Sequence, residues 1–441
     1  MVKTLRFLEA ICNRPMKKTY AITAAAVAAV ALLILCLSLR PKENDNQQEI
    51  APEYKYLNEA LDNSMSEIDE LKGLDKEMSR YLRKWNMKGA SLAVMRNDSL
   101  IYAKGYGWAD EGMMVEMNVG HILRMASVSK LVTAVGIMKL QDDGRLSIKD
   151  KVFGDEGVLK ETWLDSLIRH PAHDKITIEH LLRHQAGFYR DPLFSSKDVM
   201  LQMGLSHPPT ADDFFRLVLP RQLRFRPGTS QRYSNFGYLL LSRIIEHVSG
   251  KSYEQFICED VLAPAGCYDM HIAGNYYAHK RPNEVRYYTH EGDGKFIEEY
   301  SGTGRYVERS YGGNNISLLS GAGGWCGSTA ELARLVASID GRDEIPDIIS
   351  KEAVDQMIEY FDKATFSLGW NDTTPGVGWS RSGTLSGTTA MIKYFPDGEC
   401  WIFISNTSTW KGPRQAKQTD ALFKKCRKLY SKKFPARNLF E

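Results

Sequence analysis

At residues 125–134 the chain reads Met125-Ala126-Ser127-Val128-Ser129-Lys130-Leu131-Val132-Thr133-Ala134, which predicts the start of a helix with a serine in its first turn. Lys130 follows Ser127 by three residues, so on a helix the two side chains share one face, one turn apart. A serine hydroxyl is a poor nucleophile until a nearby base or cation activates it. The helix N-terminus adds backbone N–H groups and a partial positive charge, which favour a developing oxyanion. The stretch therefore predicts a nucleophilic serine with an amine beside it.

The same Ser-x-x-Lys pattern occurs a second time, at Ser408-Thr409-Trp410-Lys411, in what reads as a turn after a strand. The pattern by itself is therefore weak evidence for catalysis. Its position in the chain and the motifs that accompany it have to decide between the two serines.

The length and the net charge of the chain limit the classes of protein to which it can belong. A chain of 441 residues can bury a full core in one large domain or two ordinary ones. The net charge is +3, but residues 1–42 carry +6 and the remainder carries −3. The bulk of the chain thus lacks the basic surplus that is typical of nucleic-acid-binding proteins. The seven cysteines show neither a Cys-x-x-Cys pair nor zinc-ligand spacing.

Residues 21–39 form an uncharged, apolar run that is long enough to cross a bilayer as a helix. Five basic residues precede the run, so the positive-inside rule places the N-terminus in the cytoplasm. A cleaved signal peptide is the alternative, but the run is long and no small-x-small site ends it. We therefore expect a cytoplasmic tail over 1–20, a transmembrane anchor over 21–39 and a linker over 40–64. The protein would be a single-pass protein of the cytoplasmic membrane whose main domain is periplasmic or extracellular.

The order of predicted elements indicates the fold class. Ala90–Arg96 and Leu100–Tyr106 predict a β-hairpin, and residues 145–320 are mostly helical with long loops. Strand patterns return late in the chain, and a helix closes it. This order predicts one α/β (α+β) sandwich, in which strands from both ends of the domain pair in an antiparallel sheet around a helical insertion over about 131–320. The late strands are predicted at 367–370, 378–382, 388–395 and 400–405, and the final helix at 414–430.

Two further motifs carry chemistry. Tyr233-Ser234-Asn235 precedes an amphipathic helix, and a tyrosine beside a lysine can exchange protons because the cation favours its phenolate. A lone Tyr-x-Asn is usually a buried aromatic followed by a helix cap, and Tyr56-Leu57-Asn58 repeats the pattern. Arg381-Ser382-Gly383-Thr384 lies on a predicted strand, where a glycine lets a substrate approach the strand edge. The alternative for this last motif is an ordinary glycine-containing turn.

Together these motifs, in this order, resemble the class C type serine β-lactamases and penicillin-binding-protein-like enzymes, whose first signature is Ser-x-x-Lys. The resemblance covers roughly residues 65–430 and implies a β-lactamase/transpeptidase-like domain over 65–435. Other stretches match family landmarks in family order. They are residues 89–94, 105–110, 181–188, 235–238, 321–324 and 328–330.

The resemblance also implies roles for individual residues. Ser127 would be the acylated nucleophile, Lys130 would help to deprotonate it, and Tyr233 would be the acid/base partner. The oxyanion hole would be formed by the backbone N–H groups of Ser127 and Thr384. No metal and no organic cofactor is implied. The substrate-binding residues would be Asn235, Arg381, Ser382 and Gly383.

Arg381 departs from the family pattern, which normally has lysine or histidine at this position. Arginine stays charged and cannot exchange a proton at working pH, although it can pair with a substrate carboxylate through two parallel hydrogen bonds. The substitution therefore puts β-lactamase activity in question more than acyl-enzyme chemistry in general.

His180 and His184 lie four residues apart on a short predicted helix and could share a face, as zinc ligands do. Glu179 precedes His180 instead of following it, so the sequence is not His-Glu-x-x-His, and it offers no convincing third ligand. The pattern therefore disfavours a metal site.

These observations predict a membrane-anchored serine hydrolase that acts on an ester, amide, peptide or β-lactam carbonyl through a Ser127 acyl-enzyme. The substrate would be a small molecule or a peptide, with cell-wall peptide among the candidates. β-Lactamase, D-Ala-type carboxypeptidase and esterase are not distinguished, because loops choose the substrate. The alternative from another class is a receptor that binds penicillin or cell-wall peptide without turnover.

Overall fold

The structure is a computed structural model and describes residues 56–362 and 365–441. The predicted tail, the predicted transmembrane helix and most of the predicted linker lie outside these residues. Among the residues that are described, no helix is both long enough and apolar enough to cross a membrane.

The centre of the fold is an antiparallel sheet built from both ends of the domain. The strands are β1 Gly89–Arg96, β2 Ser99–Asp110, β3 Val115–Glu116, β4 Leu123–Arg124, β5 His271–Ile272, β6 Phe296–Glu298, β7 Tyr306–Glu308, β8 Trp325–Gly327, β9 Trp379–Leu385, β10 Thr388–Tyr394 and β11 Glu399–Ser405. The main sheet has six of these strands in the order β3-β2-β1-β11-β10-β9, and every neighbouring pair is antiparallel. β4, β8 and β5 form a small second sheet, and β6 pairs with β7.

Helices cover both faces of the main sheet, so the predicted antiparallel sheet flanked by helices is confirmed. Most of the helices between the early and the late strands are short and joined by long loops. The helices are α1 Leu57–Ala60, α2 Lys72–Trp85, α3 Ser129–Asp142, α4 Thr162–Asp165, α5 Ile178–Leu182, α6 Ser196–Met203, α7 Ala211–Val218, α8 Asn235–Ser249, α9 Tyr253–Phe256, α10 Ile316–Gly323, α11 Thr329–Ala337, α12 Lys351–Ile358 and α13 Gln415–Tyr430.

Side chains along the central strands point alternately to the two faces of the main sheet, so the hydrophobic core forms one layer on each face. On β11, Trp401 and Phe403 face α2 and α13, whereas Ile402 and Ile404 face the helical region. Both sets are buried because successive side chains of a strand point to opposite faces. The β1–β2 hairpin turns at Asn97 and Asp98, which both have positive φ, as a two-residue hairpin turn requires.

The helix that begins beside Ser127 lies inside the molecule. Every residue of α3 from Ser129 to Met138 is buried, including Lys130. A helix buried on all sides needs neighbours on every side, which here include α8, α10 and the helical segment Ile257–Leu262. Gly144, with φ +67°, follows the end of this helix, as the sequence predicts.

Two local predictions are wrong, each for a packing reason. Residues 367–370 form a buried loop instead of a strand, because Gly369 has φ +82° and packs on Leu131 of α3. The described part of the predicted linker, residues 56–64, is folded, since Leu61 is buried in the core.

Candidate active site

Ser127 lies in a short 3₁₀ turn, Ala126–Val128, directly before α3. Ala126 has a φ of +49°, an uncommon conformation for a residue with a side chain. The Ser127 hydroxyl accepts a hydrogen bond from Tyr233 Oη at 2.9 Å and one from Lys130 Nζ at 3.4 Å. The tertiary structure therefore brings together the three residues that the sequence predicts as catalytic.

Lys130 is fully buried and is held by three acceptors. Besides Ser127 Oγ, its ammonium donates to Asn235 Oδ1 at 2.8 Å and to the carbonyl of Ala322. Burial lowers the pKa of Lys130, and the charge of Arg381 acts in the same direction, while Tyr233 and Asp191 oppose the shift. A lysine with a lowered pKa carries its proton less firmly and is better suited to proton transfer.

Tyr233 is 36% exposed, but its hydroxyl lies among Ser127, Lys130 and Arg381. Lys130 Nζ is 4.8 Å from the centre of the Tyr233 ring. Burial by itself would raise the pKa of Tyr233, but Lys130 and Arg381 outweigh it, and the net pKa lies below the ordinary value. On the other side the ring packs on His184, with ring centres 4.4 Å apart.

Arg381 is 1% exposed and uses its guanidinium inside the site. Its Nε donates to the backbone carbonyl of Ser127 at 2.8 Å, and its Nη2 lies 3.4 Å from Tyr233 Oη. The arginine that the sequence predicts as a carboxylate clamp is thus engaged with two protein groups.

The strand β9 runs along the other side of Ser127. A side chain at Gly383 would lie 2.4 Å from the carbonyl of Met125 and 2.8 Å from the backbone nitrogen of Ser127, so only glycine fits there. The N–H groups of Ser380 and Ser382 both donate away from β10, to Asp372 O and to Asn371 Oδ1. Thr384, two residues further along, presents its N–H to the same edge of the sheet.

The sequence analysis missed Asp191, which anchors the start of α8. Its Oδ2 accepts the backbone N–H groups of Asn235 and Phe236, while its Oδ1 is buried without a hydrogen-bond partner among the described residues. Burial raises the pKa of Asp191, and the α8 N–H groups and Lys130 oppose this. In the sequence it is an acid three residues after the 181–188 landmark, a signal too weak to separate it from other acids.

The two histidines considered as zinc ligands have other roles. His180 Nδ1 accepts the N–H of Thr177 and helps to cap α5. His184 Nδ1 accepts the N–H of Ser234, and burial lowers the pKa of this imidazole well below its ordinary value. A neutral His184 imidazole therefore packs against the face of the Tyr233 ring.

One group of potential metal ligands lies elsewhere in the described residues. Donor atoms of His271, Glu284 and Cys326 are within 4.8 Å of one another and are buried. Tyr287 donates to Glu284 at 2.8 Å, and the buried Arg124 guanidinium lies 4.3 Å from the Tyr287 ring centre. The Arg124 guanidinium itself donates to the carbonyls of Ser310 and Gly274, so a cationic group already lies close to this cluster.

Comparison with known proteins adds a family match. The family model described as Beta-lactamase matches residues 74–423. Penicillin-binding protein 4* of Bacillus subtilis (strain 168) is 28% identical over 337 residues, which are 73% of this chain and 69% of that protein. Protein flp of Staphylococcus aureus (strain N315) is 29% identical over 196 residues, which are 44% of this chain but only 37% of that protein.

Solved structures resemble the fold. The D-amino acid amidase from Ochrobactrum anthropi SV3, crystallised with L-phenylalanine amide, superposes with a TM-score of 0.63 at 20% sequence identity. The alignment covers 83% of this chain and 99% of that one. At this identity the likeness establishes a shared fold and leaves the substrate to be argued from the site.

Proposed function

The chain belongs to the Beta-lactamase family, and from this premise we propose that it is a membrane-anchored serine hydrolase that works through an acyl-enzyme on Ser127. The observation that carries the proposal is the contact of Ser127 Oγ with both Tyr233 Oη and Lys130 Nζ. The substrate class is an ester, an amide or peptide, or a β-lactam.

The first half-reaction follows from these contacts. Ser127 Oγ attacks the substrate carbonyl carbon, and its proton passes to Tyr233 Oη, 2.9 Å away. Tyr233 accepts this proton as its phenolate, which the positive charges of Lys130 and Arg381 stabilise, and becomes a neutral phenol. The bond to the leaving group then breaks, the leaving group takes the proton from Tyr233, and the acyl group remains on Ser127.

The backbone supplies the oxyanion hole in this proposal. The N–H groups of Ser127 and Thr384 would donate to the carbonyl oxygen as it becomes negative. Losing one such donor typically costs on the order of 10²–10³ in rate. In the second half-reaction a water attacks the acyl-enzyme, releases the acid and returns the proton to Ser127.

The names of the relatives guide the choice of substrates. Penicillin-binding protein 4* takes its name from penicillin, and the D-amino acid amidase takes its name from D-amino acid amides. Both compounds present a carbonyl that a serine nucleophile can attack, so both belong in a first panel with a simple ester.

We extend the proposal to location. The apolar run over residues 21–39, with five basic residues before it, supports an anchor with the hydrolase domain outside the cytoplasmic membrane. Protease added to spheroplasts, in which only the cytoplasmic membrane remains intact, should then degrade the hydrolase domain. Protection of the domain until the spheroplasts are lysed would contradict this part of the proposal.

The central test uses the full-length chain in detergent, beside Ser127→Ala. We would incubate both with a fluorescent penicillin, a fluorophosphonate, a nitrophenyl ester and a D-amino acid amide, and follow intact mass and product release. We expect an adduct or turnover that Ser127→Ala abolishes.

The pattern of products sorts the activities. Penicillin labelling that clears with product indicates a β-lactamase, and labelling that persists indicates a penicillin-binding protein. Turnover of the ester or amide without penicillin labelling indicates an esterase or amidase. Activity that survives in Ser127→Ala would overturn the proposed function.

A further inference from the structure

Two loops beside Tyr233 form one continuous surface, which we call the arginine wall and define as residues 184–191 and 221–233. Backbone hydrogen bonds tie the loops together: Arg224 N donates to Gly187 O at 2.7 Å, Gly228 N to Gln185 O at 3.1 Å, and Arg232 N to His184 O at 2.9 Å. The wall is therefore a fixed surface that ends at Tyr233.

Nearly all the charged residues of this wall are positive. It contains five arginines and no lysine or glutamate, and its one aspartate, Asp191, is taken up at the start of α8. The arginines are Arg190, Arg221, Arg224, Arg226 and Arg232.

None of these five arginines forms an ion pair with another residue in the described ranges. Arginines elsewhere do pair, as Arg243 does with Glu161 at 2.8 Å and Arg286 with Glu308 at 2.9 Å. Arg190 donates to Gln202 Oε1 at 2.8 Å and Arg232 to the carbonyl of Tyr189 at 2.9 Å, which are neutral acceptors. Their positive charges therefore remain uncompensated.

Two of the five lie next to the catalytic tyrosine. Arg190 and Arg232 line the same small cavity as Tyr233, His184 and Asp191. Arg232 is exposed and directly precedes Tyr233 in the chain. Arg190 and Arg232 are therefore the two wall arginines that share a cavity with the proposed catalytic tyrosine.

Arg381 cannot serve the same purpose without leaving its present contacts. It is buried, and it already donates to Ser127 O and lies within hydrogen-bond reach of Tyr233 Oη. An anionic group on the substrate would therefore have to compete with these contacts to reach Arg381.

We infer that Arg190 and Arg232 form an anion subsite, so that the preferred substrates carry a carboxylate or phosphate away from the carbonyl that is attacked. Guanidinium groups match the planar geometry of these anions and bind them through parallel hydrogen bonds. A cleft edge of one charge also raises the local concentration of oppositely charged substrates, an effect that salt screens. This inference rests on the proposed function, because it assumes that Ser127 attacks the substrate carbonyl.

The test compares three nitrophenyl esters that share one scissile bond, with acyl chains ending in a carboxylate, a phosphate or a neutral carboxamide. We expect the full-length protein to prefer an anionic ester over the carboxamide by about tenfold in kcat/KM at low salt. The preference should shrink as salt is added.

Arginine variants test whether the preference for anionic esters comes from the proposed subsite. Arg190→Gln with Arg232→Gln should remove most of the preference, and the matching lysine replacements should retain part of it because they keep the charge. The control is Arg145→Gln, an exposed arginine without an ion pair that donates to Val248 O near the far end of α8, about 22 Å along that helix from the site. The control should keep the full preference.

The outcomes separate two failures. Ser127-dependent hydrolysis of all three esters at equal rates would overturn the anion subsite but not the proposed function. Hydrolysis that Ser127→Ala does not reduce would overturn the proposed function itself. A preference that survives both glutamine replacements in folded protein, checked by its melting temperature, would place the anion site elsewhere and contradict the inference.

Discussion

The two Ser-x-x-Lys sequences of this chain lie in different local structures. Ser127 begins a buried helix, and Lys130, one turn on, reaches its hydroxyl at 3.4 Å. Ser408 lies in an irregular segment after β11, where its hydroxyl accepts the N–H of Gly387 at 3.1 Å. Because that segment is not a helix, residues three apart do not share a face there.

The difference shows what makes a serine reactive. Ser127 has two titratable partners whose pKa values are both lowered by their surroundings. Ser408 is buried and joins a turn to a neighbouring loop, a structural task for which any small hydrogen-bonding side chain suffices. The motif supplies the residues, and only the helix and the residues packed around it supply the chemistry.

The largest expected effect tests this comparison directly. Ser127→Ala should abolish covalent labelling by the fluorophosphonate and lower turnover by roughly 10⁴-fold or more, because no second serine hydroxyl contacts Lys130 or Tyr233 within the described residues. Ser408→Ala should be labelled like the unchanged protein. Equal losses in the two variants, measured by intact mass, would show that we have chosen the wrong serine or that neither acts.

A second test contrasts one glycine from each region. Gly383→Ala should push β9 away from the Ser127 backbone and lower kcat by about 10²-fold, the effect of a damaged oxyanion hole. Gly387→Ala, near Ser408, should mainly destabilise the fold by about 1–3 kcal/mol, because its φ is +82°. Rates and melting temperatures together separate these effects, and a rate loss confined to Gly387→Ala would reverse the comparison.

A third test addresses the carboxylate near Lys130. Asp191 raises the pKa of Lys130 against the lowering effect of burial, so Asp191→Asn should lower that pKa further. Lys130 would then lose its proton at lower pH, and the acid limb of the kcat/KM profile should move to lower pH.

The matched control for this test is Asp213→Asn. Asp213 also caps a helix, since its carboxylate accepts the N–H of Thr210 at 2.9 Å at the start of α7. Its replacement should leave the acid limb in place. A uniform loss of activity at every pH in Asp191→Asn would mean that Asp191 only holds the start of α8.

The smallest expected effect concerns Arg381. Arg381→Lys keeps the charge but can lose the hydrogen bond to Ser127 O, so we expect about a fivefold loss, the equivalent of one hydrogen bond of roughly 1 kcal/mol. The loss should be the same for neutral and acidic esters, measured as kcat/KM. A loss confined to acidic esters would instead support the carboxylate clamp that the sequence suggests.

Much of the fold could be read from local patterns. The β1–β2 hairpin, the helix after Ser127 and the closing helix were predicted within a few residues, because periodicity and turn residues act over short distances. The strand predicted at 367–370 failed because packing of Gly369 on α3 overrides its local apolar pattern.

The site shows the same division. The sequence by itself determined which chemical groups the chain carries and in what order, namely Ser127 with Lys130, then Tyr233 with Asn235, and then Arg381 to Thr384. Only the tertiary structure decided that Tyr233 reaches Ser127 across 106 residues of chain and that Arg381 reaches it across 254. It also decided that the charge of Asp191 acts on the buried lysine and that the wall arginines lack ion pairs within residues 56–362 and 365–441. Contacts between residues so far apart depend on how the elements pack, and no local periodicity records them.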